Sequence, residues 1–203
     1  MQHMWETLNK IDIEVFLFLN NMGIPQLDRF FMVVTDWAFI PFAVMVAYFF
    51  FTRIDKKLLP AALILLGISI LISDQLCGNV IREMNIRLRP CHMVELEGLF
   101  RPVREEFTGF CGGQYGFVSS HAGNAFALAV FSSMALKGRV KYIWCYTLFF
   151  AVVIAYSRIY IGTHLTGDVV VGGAVGATSG ALCALAYRWV SPRIMNWWDS
   201  RNK

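Results

Sequence analysis

Charged residues are scarce in this 203-residue chain: Asp, Glu, Lys and Arg together make up 16% of it, whereas hydrophobic residues make up 57%. Soluble domains carry about a quarter charged residues, so this composition argues against an ordinary cytosolic enzyme. The formal net charge of +4 is small and the basic residues are scattered along the chain, so nucleic acid is not expected as a partner. The composition instead indicates a domain that lies in a lipid bilayer.

Cysteine pairs of the CxxC type are also absent, although the chain holds five cysteines. The sequence therefore offers neither a zinc ribbon nor a dithiol redox motif. Cys91 and Cys111 bracket one polar segment, and on an oxidising face they are placed to join as a disulfide, with free thiols as the alternative. The N-terminal segment lacks the basic start and small-residue cleavage site of a secretory signal, so we expect it to remain in the mature protein.

Long apolar runs, in contrast, recur along the chain. Five segments are long enough to cross a hydrocarbon core of about 30 Å: 30–52, 58–81, 117–136, 142–157 and 169–187. We therefore predict an all-α fold, a membrane helix bundle that forms a single domain over residues 1–203. Five spans follow from these segments, and a sixth crossing that uses part of the N-terminal segment is the alternative.

Basic residues in the short links predict the orientation of the spans, because Lys and Arg concentrate on the cytoplasmic side. The links 53–57 and 137–141 and the tail after residue 187 are basic and are assigned to that side. An odd number of spans then places the N-terminus, the loop region 82–116 and the turn 158–164 outside. Residues 5–21 show apolar positions at helical spacing, so within 1–29 we predict an interfacial helix, with a helix packed on the bundle as the alternative.

Arginines are unexpectedly frequent on the outer side, where the positive-inside rule predicts few: Arg82, Arg87, Arg89, Arg101, Arg104 and Arg158. For Arg87, Arg101 and Arg104 we expect a solvated loop in which they pair with neighbouring glutamates. Arg82 and Arg89 are seven residues apart, so on one helix they project from the same face. Two guanidiniums of this kind match the oxygens of a phosphate, with lipid headgroups or loop acids as the alternative partners.

Two histidines fall on the same outer face. Ser119 or Ser120 can cap a helix that begins beside His121, and helix N-termini of this kind hold phosphate. His121 is suited to protonate a leaving oxygen, and a buried structural histidine is the alternative. His164 and Asp168 are four residues apart, so in a helix the carboxylate can orient the ring, with a purely structural pair as the alternative.

Asp168 begins an otherwise uncharged span, where an unpaired carboxylate costs about 2.5–3.5 kcal/mol. It therefore needs a partner, and His164 is the nearest candidate in sequence. Arg158 lies six residues upstream of His164 and can reach the same place. Because the orientation of the spans brings all these groups to one surface, they indicate a phosphate-transfer site in which arginines supply the positive charge.

These residues resemble, in order and spacing, the three-part signature of the type 2 phosphatidic acid phosphatase superfamily: Arg82-x6-Arg89-Pro90, Ser119-Ser120-His121 and Ser157-Arg158-x5-His164-x3-Asp168. The family usually has Lys where this chain has Arg82, and Pro-Ser-Gly-His where it reads Val118 to His121. The resemblance implies hydrolysis of a phosphomonoester or diphosphate through a phosphohistidine, with no metal and no cofactor. Vanadate or phosphate is then expected as a ligand of the site.

The resemblance also implies a role for each matched residue. His164 is the nucleophile, Asp168 orients it, and His121 is the general acid and then the base. The residues expected to bind phosphate are Arg82, Arg89, Ser119, Ser120 and Arg158.

In its compact size the chain also resembles bacterial members of the family that act on undecaprenyl diphosphate or on lipid A. We therefore expect an enzyme of the bacterial inner membrane that acts on undecaprenyl diphosphate or a glycerophospholipid phosphate, with its site facing the periplasm. A lipid A phosphatase and a lipid phosphotransferase are the enzymatic alternatives. A transport or channel-like protein, in which Asp36 and Asp74 mark an ion path, is the non-enzyme alternative.

Overall fold

The computed structural model describes the backbone of residues 2–201 and the side chains of residues 5–201. Over this range the chain forms helices, loops and one isolated β-bridge, so the predicted all-α class is confirmed. The α-helices are α1 (Gln2–Asn21), α2 (Pro25–Trp37), α3 (Phe39–Arg53), α4 (Leu59–Gln75), α5 (Val103–Thr108), α6 (Ser120–Ala135), α7 (Ile143–Tyr160) and α8 (Thr166–Arg201). A π-helical turn (Leu76–Val80) and a 3-10 turn (Arg82–Met84) extend α4, and two further 3-10 turns are Pro90–His92 and Val94–Leu96.

Among the described residues, three helical units are long and apolar enough to cross a membrane: Leu59–Met84, Ile143–Tyr160 and Thr166–Arg201. Helices α2 and α3 pass the same test as a pair bent by 52°, which gives up to four spans. The remaining segment expected from the sequence forms α6, whose 16 residues rise only about 24 Å. Helix α6 packs against α4, α7 and α8, so its apolar side chains are buried in the bundle.

Close packing of α8 on α6 brings together the two helix ends that carry the histidines. Gly172, Gly176 and Gly180 recur every fourth residue and form one face of α8. A Cβ at any of them would overlap backbone atoms of α6 or of Ser119, which precedes α6. The N–H of Ser119 also donates to the carbonyl oxygen of Asp168 at 3.0 Å. The starts of α6 and α8 therefore lie side by side.

Helix α1 packs one face on the bundle and leaves an apolar face exposed. The buried amide of Asn20 donates to the carbonyl oxygens of Ile159 at 3.0 Å and Tyr160 at 2.9 Å, which ties α1 to the end of α7. Five large apolar side chains of α1 are 39–66% exposed: Trp5, Leu8, Ile11, Val15 and Phe18. Such a face is typical of a helix that lies in the membrane interface. Packing on the bundle is thus confirmed for one face of α1, and its interfacial location stays a prediction.

The segment between α4 and α6, named the outer segment after its predicted location, is fixed by a disulfide and by backbone pairing. Cys91 and Cys111 form a disulfide with their Cα atoms 6.4 Å apart, which confirms the first of the two alternatives. Leu88 and Tyr115 form an antiparallel bridge, and the N–H of Arg89 donates to the carbonyl oxygen of Gln114 at 3.0 Å. The backbone that carries Arg89 therefore lies beside the strand-like stretch leading into α6.

Candidate active site

The expectation that Arg82 and Arg89 project from one helix is wrong. Asn85 adopts a left-handed conformation with φ 52° and ψ 37° directly after the 3-10 turn, and Arg89 is extended with φ −71° and ψ 155°. The helix therefore ends before Arg89, whose extended backbone agrees with the restriction imposed by Pro90. The two arginines approach each other through the loop pairing described above rather than through helical register.

Arg82 lies against the start of α6. Its Nη2 donates to Oγ of Ser120 at 3.0 Å. Ser119 is the N-cap: its fully buried side chain accepts from the N–H of Ala122 at 3.5 Å. The first N–H groups of a helix have no intrahelical acceptor, so this helix end presents a positive dipole beside Arg82. Ser120 thus faces the arginine, while the hydroxyl of Ser119 serves the helix itself.

Two guanidiniums are buried without a salt bridge to any acidic side chain of residues 5–201. Arg89 and Arg158 are 7% and 5% exposed, and neither forms a salt bridge within the described part of the chain. Arg89 donates to the carbonyl oxygens of Tyr115 at 3.3 Å and Thr163 at 3.4 Å, and Arg158 donates to the hydroxyl of Thr35. Buried cations are costly unless an anion compensates them, so these arginines are suited to bind one.

The pKa of Arg89 reflects the cost of burying its charge. Burial, and next the positive charge of Arg82, lower the pKa of Arg89 to about 10. The charge of Asp168 opposes this shift only in part, and that of Arg104 adds to it. The cationic form is thus less favourable in the fold than in water. An anion bound here would relieve both the burial and the mutual repulsion.

His164 lies in the turn before α8, and Asp168 lies in the first turn of that helix. Oδ2 of Asp168 is 3.5 Å from Nδ1 of His164 and accepts from the N–H of Leu165 at 3.0 Å. The carboxylate therefore faces the ring but stands slightly beyond a well-formed hydrogen bond.

The imidazole of His164 is neutral near physiological pH. Burial lowers the pKa of His164 to about 4; Asp168 opposes this shift, and the charges of Arg158 and Arg89 add to it. The neutral ring is the form that can act as a nucleophile. The turn before α8 thus presents a buried, unprotonated histidine next to two cationic side chains.

The expectation that Arg87 lies in a solvated loop is wrong, because its side chain is only 10% exposed and bridges two carboxylates. Nη1 lies 2.5 Å from Oδ2 of Asp12, and Nη2 lies 2.5 Å from Oδ1 of Asp168. Burial opposes the charge on Arg87, but Asp168 and Asp12 outweigh it and raise the pKa of Arg87 above its ordinary value. The ion-pair partner of Asp168 is therefore Arg87, a partner missed because it lies 81 residues away in sequence.

Arg101 and Arg104 are likewise paired with aspartates of α2 and not with loop glutamates. Nη2 of Arg101 lies 2.8 Å from both carboxylate oxygens of Asp28, and Nη1 of Arg104 lies 3.2 Å from Asp36. These two pairs attach the outer segment to α2. They account for Asp36, which the sequence alone left open as part of an ion path.

Replacing Arg87 with methionine is expected to lower the free energy of unfolding by about 2 kcal/mol. Breaking a fully buried ion pair costs about 3–5 kcal/mol, and partial solvation of this guanidinium reduces that cost. The melting temperature in detergent should fall by roughly 4–8 °C. The matched control is Arg29→Met, because Arg29 is exposed and forms no salt bridge among the described residues. Equal melting temperatures for the two variants would contradict a structural bridge through Arg87.

The structure brings the three predicted motifs together. A Cβ on Gly116 would lie 3.1 Å from Cγ of Arg89 and 3.2 Å from Oδ2 of Asp168, so these two groups approach each other across that glycine. His121 lies within electrostatic range of Arg158 and His164. The cluster at the starts of α6 and α8 therefore holds all eight predicted site residues: Arg82, Arg89, Ser119, Ser120, His121, Arg158, His164 and Asp168.

The chemistry available to this cluster is that of anion binding next to a nucleophile. Guanidiniums and a helix N-terminus stabilise the oxygens of a phosphate, and a neutral histidine can bond to phosphorus. Within residues 5–201, no group of three His, Cys, Asp or Glu side chains is placed to hold a metal ion.

Comparison with known proteins adds family information to this geometry. A family model described as the PAP2 superfamily matches residues 62–193. Lipid A 4'-phosphatases of Porphyromonas gingivalis and Bacteroides thetaiotaomicron are 33% and 29% identical, covering 93% and 88% of this chain and 78% of each relative. Undecaprenyl-diphosphatase of Sulfolobus acidocaldarius is 23% identical, covering 82% of this chain and 73% of that relative. The solved structure of Aquifex aeolicus LpxE shares the fold, with a TM-score of 0.65 at 24% identity, covering 84% of this chain and 93% of that one.

Proposed function

This chain belongs to the PAP2 superfamily, and we propose that it is a membrane lipid phosphatase with a lipid A-type phosphate as its substrate. One observation carries the proposal: Arg89 and Arg158 are buried next to a neutral His164 with no acidic partner of their own among the described residues. Two relatives named as lipid A 4'-phosphatases support the choice of lipid. Undecaprenyl diphosphate is the second candidate, supported by the more distant undecaprenyl-diphosphatase.

In the proposed mechanism, Nε2 of His164 attacks phosphorus in line, and the bond between phosphorus and the leaving oxygen breaks. His121 donates a proton to that oxygen as it departs. Water, deprotonated by His121, then attacks the phosphohistidine, and the phosphorus–nitrogen bond breaks to release inorganic phosphate. Asp168 favours the positive charge that develops on the ring of His164.

Positive groups stabilise the charge on the transferred phosphoryl group. Arg82, Arg89 and Arg158 bind its oxygens together with the N–H and hydroxyl of Ser120 at the start of α6. Ser119, which we expected to contact phosphate, acts through its N-cap and holds this helix end in position. Phosphate and vanadate are ligands of the same arginine cluster in this proposal.

The protein is an integral membrane protein, and we place residues 1–203 as one phosphatase domain in the bacterial inner membrane. The site faces the periplasm in this proposal. The disulfide between Cys91 and Cys111 supports an oxidising compartment for the outer segment. The basic residues of the opposite links support a cytoplasmic location for them. Asp36 is paired with Arg104, which removes one of the two carboxylates on which a transport function would rest.

A panel of lipid phosphates tests the proposed function. Phosphate release is measured in detergent from lipid A, undecaprenyl diphosphate, phosphatidylglycerophosphate and phosphatidate. We expect the largest kcat/KM for lipid A, and mass spectrometry of the product lipids separates hydrolysis from transfer to a second lipid. If none of the four lipids releases phosphate, the assignment is overturned.

The dependence of kcat/KM on pH follows from the state of His164. Because burial lowers the pKa of His164 to about 4, the nucleophile stays unprotonated well below the ordinary histidine value of about 6.5. Activity should therefore be lost as the pH falls through about 4, since protonation removes the lone pair of the ring. The profile is recorded between about pH 3.5 and 9 and corrected for the titration of the substrate's own phosphate. A corrected acid limb centred near 6.5 would contradict a buried neutral nucleophile.

A further inference from the structure

A cavity of about 280 Å³ lies beside His121, between α3, α4 and α6. Its apolar lining comes from Phe39, Ile70 and Leu128, and its polar lining from Asp74, Ser120, His121 and Asn124. The mechanism above uses Ser120 and His121 but has no role for Asp74 or Asn124. An ionisable residue within a membrane span is costly, so Asp74 needs an explanation of its own.

Asp74 and Asn124 form a hydrogen-bonded pair that has no salt bridge to a basic side chain of residues 5–201. Nδ2 of Asn124 donates to Oδ1 of Asp74 at 2.8 Å, and Asp74 forms no salt bridge among the described residues. A carboxylate only accepts hydrogen bonds, so the NH₂ group of Asn124 must face it and Oδ1 of Asn124 points elsewhere. That buried oxygen accepts no hydrogen bond from the described part of the chain. Both residues therefore carry acceptor oxygens at the cavity, namely the carboxylate of Asp74 and, enclosed beside it, Oδ1 of Asn124.

The position of His121 relates this pair to the reaction, a step that rests on the proposed function. His121 protonates the oxygen that leaves phosphorus, so the cavity next to it receives the part of the substrate that departs. Ser120, which also lines this cavity, accepts from Arg82 at 3.0 Å, so the cavity adjoins the arginines that hold the phosphoryl group. The acceptors of Asp74 and Asn124 thus meet the leaving group.

We propose that Asp74 and Asn124 form a leaving-group subsite that selects a phosphate carried by a hydroxyl- or amide-bearing sugar over a lipid diphosphate. The O–H and N–H groups of a sugar donate to the acceptors of the pair. A diphosphate instead brings a second anionic phosphate next to the carboxylate of Asp74, where low polarity strengthens the repulsion. The apolar lining of the cavity suits the acyl chains attached to such a sugar.

Two substitutions test the subsite in opposite ways. Asp74→Asn removes the negative charge and keeps the size of the side chain, so it should lower kcat/KM for lipid A about tenfold and leave that for undecaprenyl diphosphate equal or higher. Asn124→Ala removes an acceptor and the N–H group that holds Asp74, but keeps the carboxylate. It should lower kcat/KM for lipid A about tenfold without a gain on the diphosphate. The control is Asp199→Asn, since Asp199 pairs with Lys57 far from the cavity and its loss should leave both values unchanged.

The outcomes separate this inference from the proposed function. All variants are measured in the same detergent, with melting temperatures as the check on folding. If the pair were purely structural, each variant would lower kcat/KM for lipid A and for undecaprenyl diphosphate by the same factor. An unchanged ratio of these two values in both variants overturns the subsite alone. Release from neither lipid by the native protein overturns the proposed function and the subsite together.

Discussion

Replacing His164 with alanine is expected to reduce phosphate release by about 10⁴-fold or more, whichever lipid proves to be the substrate. The substitution removes the atom that bonds to phosphorus, and the water that remains in its place is a much weaker nucleophile. The arginines and the helix end are left in position, so substrate binding should survive. The measurement is single-turnover phosphate release, combined with trapping of the labelled protein after a rapid quench at alkaline pH.

The control for this result is His92→Ala. His92 lies exposed in the outer segment, with Nε2 3.4 Å from the carbonyl oxygen of Gly112, and its loss should change the rate less than about twofold. Labelled phosphohistidine should appear in the native protein and in the His92 variant but not in the His164 variant. Release within tenfold of the native rate from His164→Ala would show that another group attacks phosphorus.

The candidate site could be predicted from the sequence because its chemistry is carried by residue types at short, regular separations. The pairing of His164 with Asp168 depends on a spacing of four residues, and the cap before His121 depends on a single helix end. Both are local features that the sequence shows. The same local reasoning was wrong for Arg82 and Arg89. Their spacing fits one helix, but a left-handed Asn85 ends that helix, and only the pairing of distant loop strands brings the arginines together.

The ion pairs around the site could not be predicted, since their partners are remote in sequence. Arg87 pairs with Asp12 across 75 residues, and Arg101 pairs with Asp28 across 73. Glutamates much nearer in sequence offered a simpler explanation of the same charges. Which carboxylate meets which arginine depends on the packing of α1 and α2 on the bundle, and no sequence pattern here encodes that packing.

The number of membrane spans is also hard to predict from the sequence. Hydropathy measures how apolar a segment is, and a helix buried among other helices is as apolar as one that faces lipid. The sequence therefore predicts a span over 117–136, where the structure forms the 16-residue helix α6 packed against α4, α7 and α8. Small residues such as Gly123 and Gly176 allow this packing. They are the feature of the sequence that indicates a helix buried among others, because close helix contacts in membranes favour small residues.

Replacing Arg89 with methionine is expected to change activity and stability in opposite directions. Loss of one preorganised cation that stabilises the transition state should lower kcat/KM by about 10²–10³-fold. Without substrate, the same guanidinium is a buried charge with no acidic partner among the described residues, and burial and Arg82 lower the pKa of Arg89 to about 10. An apolar side chain of similar length removes that cost, so the unliganded protein should gain about 1 kcal/mol, or 2–4 °C in melting temperature.

Arg101→Met provides the matched comparison, because the same substitution there removes a guanidinium that is paired. Arg101 contacts both oxygens of Asp28 at 2.8 Å, so its loss leaves a buried carboxylate alone and should lower the melting temperature. Its guanidinium lies on Asp28 and over the ring of Tyr160 and is not one of the groups proposed to bind phosphate, which predicts a smaller loss of kcat/KM than for Arg89→Met. If Arg89→Met melts below the native protein as Arg101→Met does, then Arg89 supports the fold like its paired neighbour, and the buried cation is not held for an anionic substrate.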